Sequence, residues 1–129
     1  MSETNHVKLD FETLPDVAAG TCSGELSILD LKAAAATMIE GLEKHPTPPR
    51  HMLWDLTAAK LDLDAVEVQR LVEFVGARAG EPRGRTAYVA DADLAFGLMR
   101  VYQAYRSEHD DQISVFRDRK EAIDWLGAG

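Results

Sequence analysis

Four acids, a hydroxyl and an arginine stand just past the apolar runs of this sequence. Asp55 and Thr57 close the segment 51–57, His-Met-Leu-Trp-Asp-Leu-Thr. Asp91 and Asp93 follow the run 85–90, and Arg117 and Asp118 follow the run 112–116. If those runs are strands of an open α/β sheet, their trailing residues gather at the crevice beyond the carboxyl ends, where such sheets bind ligands. The chemistry on offer is a polar mouth over an apolar pocket, with carboxylates accepting, a guanidinium donating and a hydroxyl doing both. A plainer role competes: Asp91, Asp93 and Asp118 each precede a helical pattern, and helix capping alone accounts for them. Asp55 resists that explanation. It follows a tryptophan in a mostly apolar run, and a buried acid there needs partners.

Other chemistries fit less well. Asp91-Ala92-Asp93 after a strand has the look of a magnesium-dependent phosphoryl-transfer site, but that reaction also needs a nucleophile and a phosphate cradle. The next residues, Leu94-Ala95-Phe96-Gly97, supply neither. His6, His45, His51 and His109 are scattered, with no histidine or cysteine three or four residues away, so no metal site is expected. Cys22 is the single cysteine. It allows no internal disulfide, points to a reducing compartment and is expected to pack as a small apolar group. No spacing brings a serine, a histidine and an acid together. The chain is therefore expected to have no catalytic residue and no cofactor, and not to be an enzyme.

The whole sequence narrows this further. At 129 residues it is expected to form one domain, 1–129. A net charge of −8 repels phosphate backbones and anionic lipid surfaces, so neither nucleic acid nor a membrane is expected as a partner. The opening Met-Ser-Glu-Thr-Asn-His has neither the basic region nor the apolar run of a signal peptide. No window approaches the roughly 20 apolar residues of a membrane span. The expected location is the cytoplasm.

The elements that would position the polar residues are legible from periodicity. Residues 6–11 alternate as a half-exposed strand, with Val7, Leu9 and Phe11 on one side. Thr13-Leu14-Pro15-Asp16 is a turn. Residues 17–23, small and neutral, form a second strand antiparallel to the first, with Gly20 marking a bulge or a close backbone approach. Ser27 and Asp30 form a capping box for a helix reaching Lys44, stopped by Pro46, Pro48 and Pro49. The run 51–57 is a strand buried on both faces, with Asp55 and Thr57 near its carboxyl end. Asp64 and Glu67 open the next helix, which Gly80 ends. After a strand at 85–90, Asp91 or Asp93 caps a helix through about Ser107. Leu94, Leu98, Val101 and Tyr105 lie on one line of that helix, and Ala95, Met99 and Tyr102 on its neighbour. A strand at 112–116 leads, through a capping box at Asp118 and Glu121, to a short helix carrying Ala122, Ile123, Trp125 and Leu126. The order implies a mixed five-stranded α/β sheet, β-β-α-β-α-β-α-β-α, its last four strands largely parallel.

This pattern resembles the SpoIIAA-like family, with the STAS-type fold of anti-sigma factor antagonists, and within it the bacterial branch labelled STAS/CRAL-TRIO-like. The resemblance rests on Leu53-Trp54-Asp55-Leu56-Thr57, Val89-Ala90-Asp91, 96–102, and the closing Val115-Phe116-Arg117-Asp118 with Glu121-Ala122, Trp125 and Leu126. It implies a non-catalytic regulatory module acting through a protein partner or as a homo-oligomer such as a homodimer. The CRAL-TRIO-like branch implies an alternative: a small apolar molecule or lipid bound in a pocket near helix 92–107. On that reading Asp55, Thr57, Asp91, Met99, Tyr102 and Arg117 are the candidate ligand-binding residues. One departure touches regulation. Where the resemblance implies a phosphorylatable serine after the central strand, this chain has Leu63, between Asp62 and Asp64. Asp64 already charges that helix start, so a phosphoryl group there would be repelled.

Overall fold

A computed structural model of the chain describes residues 7–79, 84–106 and 112–127. Along them run β1 (Val7–Asp10), β2 (Val17–Leu26), α1 (Ile28–Lys44), β3 (His51–Leu61) and α2 (Ala65–Ala79). Then come β4 (Thr86–Val89), α3 (Asp93–Arg106), β5 (Ile113–Phe116) and α4 (Arg119–Leu126). The strands form one sheet in the order β1-β2-β3-β4-β5. β1 is antiparallel to β2, and β2 through β5 are parallel to their neighbours. Each parallel step is bridged by a helix, since neighbouring strands that run the same way require a crossover connection.

Alternation along the strands sorts the core into two layers. Ala18, Cys22, Trp54 and Leu56 pack with α1, α2 and α3 on one face. Val17, Ala19, Leu53, Ala87 and Val89 pack with Ala122 and Leu126 of α4 on the other. Leu53 and Trp54 are adjacent in sequence and buried on opposite faces, which is why the run around them is apolar without a break.

Several boundaries differ from the sequence reading. β2 and β3 are both longer than expected, because they continue side by side beyond the rest of the sheet, Ser23 opposite Ala58 through Leu26 opposite Leu61. Asp55 is the last β3 residue with a partner in β4, Val89. Asp55 and Thr57 thus stand at the carboxyl edge of the four parallel strands but in the middle of β3. Gly20 answers to close approach: a Cβ there would lie 2.6 Å from the Trp54 ring. The register irregularity falls one step later, between Thr21 and Ser23. Asp16 takes the left-handed backbone, φ 60°, that the turn needs, and its carboxylate accepts from the Arg50 amide at 2.8 Å. α3 begins at Asp93, with the Phe96 amide bonding to the Ala92 carbonyl at 2.8 Å. Ala92, not Asp91 or Asp93, is therefore the residue at the cap position. Gly80, Ser107, His6 and His109 lie outside the described residues.

The capping box of α1 is present in both directions: the Asp30 amide donates to the Ser27 hydroxyl, and the Ser27 amide donates to the Asp30 carboxylate at 2.9 Å. Ser27→Ala is expected to lower stability by about 1 kcal/mol, read as a shift of the urea midpoint with an unchanged slope.

Candidate functional site

The polar residues at the strand ends separate into two groups. Asp55 points to the α4 face, the same side as Leu53. One carboxylate oxygen accepts from the Thr57 amide at 3.0 Å and the Thr57 hydroxyl at 2.7 Å; the other accepts from Arg119 Nη1 at 2.9 Å. Asp55 is buried, 9% exposed. Burial pushes its pKa up, but the Thr57 bonds and the Arg119 guanidinium outweigh it and hold the carboxyl below its ordinary range. The partners that a buried acid needed are thus Thr57, within the same strand, and Arg119, in the first turn of α4.

Arg117 belongs to a different group. Its Nη1 donates to the Asp91 carbonyl and to the Asp93 carboxylate, each at 3.0 Å, and its guanidinium lies over the Phe96 ring, 4.1 Å from the centroid. The contact ties the end of β5 to the start of α3. Asp118 caps α4, accepting from the Lys120 amide, one residue short of the Glu121 position expected for a box. Cys22 is buried, and its thiol is pushed up to about 12 by burial and by the Asp55 charge. It remains a thiol at neutral pH and is a poor nucleophile there. Among the described residues no group of three or more histidines, cysteines and acids is placed to hold a metal ion.

The second kind of site is apolar. A cavity of about 80 Å³ lies between the sheet and the layer formed by α1, α2 and α3. Trp54 and Tyr88 of the sheet form one wall; Met38, Leu71, Met99 and Tyr102 of the helices form the other. Among the described residues no acid, cation, histidine or amide side chain lines it. Tyr88 and Tyr102 meet edge to face, centroids 5.3 Å apart. Methionine adapts its shape to irregular space and packs favourably on aromatic rings, so the lining adjusts to an occupant more readily than branched side chains would. Gly20 matters again here: the absent Cβ lets the Trp54 indole lie down over β2 instead of standing into the cavity.

Of the six candidate residues, Met99 and Tyr102 line this cavity, whereas Asp55 and Thr57 face α4 and Asp91 and Arg117 join at the start of α3. The broad apolar arc of α3 has the same division. Its inner row, Ala95, Met99 and Tyr102, is buried; of the outer row, Leu94 is 64% and Val101 36% exposed. Sequence reading missed Arg119, whose only local signal is a cation one residue inside an expected helix. It also missed Met38, Trp54 and Tyr88 as lining residues, since each reads as ordinary core.

No protein-family model and no curated protein matches the sequence. Solved structures do. An uncharacterised Shewanella loihica protein of the DUF3478 family, with a SpoIIAA-like fold, is 24% identical, with 98% of each chain covered and a TM-score of 0.61. An anti-sigma factor antagonist from Mycobacterium paratuberculosis is 15% identical, with 98% of this chain and 99% of that one covered and a TM-score of 0.62. The chain has the SpoIIAA-like fold. Leu63 sits in the loop between β3 and α2, half-buried and packed on the three-helix core. An apolar side chain facing inward occupies the place where the resemblance implied a serine. Among the described residues no helix is long and apolar enough to cross a membrane.

Proposed function

We propose that this chain is a non-catalytic cytoplasmic module that binds a small apolar molecule between its sheet and its three-helix layer. The observation that carries the reading is the cavity of about 80 Å³ walled by Met38, Trp54, Tyr88, Met99 and Tyr102. Protein interiors are close-packed, and space with an apolar lining favours apolar occupants over water, which needs polar partners there. The charged side chains at the strand ends are engaged with one another and with helix termini, and the cavity wall has none of them.

Trp54 is the natural reporter. In a Trp125→Phe chain, octan-1-ol is expected to change Trp54 emission saturably. Ala34 lines the same cavity and is buried. Ala34→Leu is expected to fill it, raising stability by about 1 kcal/mol in urea unfolding and abolishing the octanol response. An unsaturable response, or one that survives in Ala34→Leu, counts against the reading.

A second reading is a regulatory module that binds a protein partner or a second copy of itself. It is supported by the fold shared with a protein described as an anti-sigma factor antagonist and by the outward Leu94 and Val101 of α3. Because α3 supplies both the inner wall and the outer row, the two readings are compatible. Sedimentation of the wild type and of Leu94→Asp addresses self-association: a strict monomer in both removes the second-copy form.

A further inference from the structure

The cavity has a chemically distinct border. Its half-buried lining residues are Leu31, Ala35 and Ile39 of α1, Met52 of β3, Val75 of α2 and Tyr88 of β4, and those of α1 and α2 border the seam of these two helices. Next to Leu31 in sequence is Lys32; next to Val75 is Phe74, with Arg78 one turn further. Lys32 Nζ lies 5.4 Å from the Phe74 ring centroid, and the Arg78 guanidinium 4.0 Å from it. Two cations, one from each helix, therefore converge on a single ring beside the border. In a chain of net charge −8 that is a local reversal of sign. The only acid adjoining the ring in sequence, Glu73, is exposed.

We propose that the cavity takes the alkyl tail of a single-chain amphiphile whose anionic head, a carboxylate or its equivalent, rests between Lys32 and Arg78. This rests on the apolar-binding reading above. Three observations act together. The lining surface is almost wholly apolar, with no charged or amide side chain among the described residues, so hydrocarbon is favoured inside. The volume is about half of the roughly 150 Å³ that holds benzene in an engineered apolar cavity, which favours a slim chain continuing outward over a bulky ring. The seam between α1 and α2, bordered by the half-buried lining residues Leu31 and Val75, presents two cations on the Phe74 ring, and an anion there gains charge-assisted hydrogen bonds.

The test compares sodium octanoate with octan-1-ol, which share the chain and differ in the head. Trp54 emission of the Trp125→Phe protein is the readout, repeated in a Lys32→Gln/Arg78→Gln chain. Both substitutions are near the surface, and the urea midpoint confirms that the variant folds. Octanoate is expected to bind about fivefold tighter than octanol, the discrimination that two partly exposed ion pairs supply. The preference is expected to vanish in the double variant while octanol binding stays unchanged. Equal binding of the two probes, or tighter octanol, overturns the anionic head and leaves the apolar cavity standing. A preference that persists without Lys32 and Arg78 overturns their role. Silence to both probes overturns this proposal and the binding reading together.

Discussion

Leu53→Ala is expected to destabilise the protein by about 3 kcal/mol, with the mutant's urea midpoint lowered and its slope unchanged. Leu53 has no exposed surface. It stands in the central strand, opposite Ala19 of β2 and Ala87 of β4, and packs in the cluster that includes Ala122 and Leu126 of α4. Three of those four neighbours are alanines, whose side chains have no rotamers with which to move into a vacated space. The expected cost therefore includes the cavity left behind as well as the lost transfer free energy. Because α4 is, among the described residues, the only helix packed in that cluster, its amides are expected to lose hydrogen-exchange protection more than those of α1.

Arg119→Met is expected to cost about 2 kcal/mol at pH 7. Removing one partner of a buried ion pair costs about 3–5 kcal/mol when both are fully enclosed. Here the Arg119 side chain is 42% exposed, and Asp55 keeps its two Thr57 bonds, which places the effect below that range. The pH dependence has a definite sign. Asp55 is held below its ordinary range in the folded protein, so its contribution is fully present above the unfolded carboxylate value of about 3.9 and is lost as pH falls through the folded one. In Arg119→Met the carboxyl loses its cation and its pKa rises, so the difference between wild type and variant is expected to be largest near neutrality and to shrink below about pH 4. Asp55→Asn/Arg119→Met is expected to recover part of the loss, since no charge is then left buried without its partner. A pH-independent difference would mean that Arg119 stabilises through packing alone.

Much of the fold was legible because local signals and tertiary structure agree. The alternation of Val7 and Leu9, the Ser27–Asp30 box and the unbroken apolar run through Leu53 and Trp54 each specify one element and one orientation. Where they disagree, pairing decides. Ala58, Ala59 and Lys60 have no strand signature, yet they extend β3 because Ser23, Gly24 and Glu25 run beside them. At the site the loss of legibility has a different cause. Met99 and Tyr102 announce an inward face of α3, but whether that face meets a filled or an open interior depends on how Met38 and Trp54 pack from other elements, a distance that no spacing in the sequence encodes. The polar rim illustrates the converse. Asp91 and Arg117 lie just past strand ends as their positions imply, and Asp55, though in the middle of β3, lies at the carboxyl edge of the four parallel strands. Asp55 nevertheless turns toward α4 and Arg117 toward α3, so they do not converge.

Xenon tests the cavity most directly, because it enters apolar space without requiring a hydrogen bond or a charge. In crystals of this protein pressurised with xenon, the account predicts one site between Trp54 and Tyr88 on the sheet side and Met38, Met99 and Tyr102 on the helix side, absent in Ala34→Leu. An electron density map in which those side chains close on one another, with no xenon among them, would contradict it.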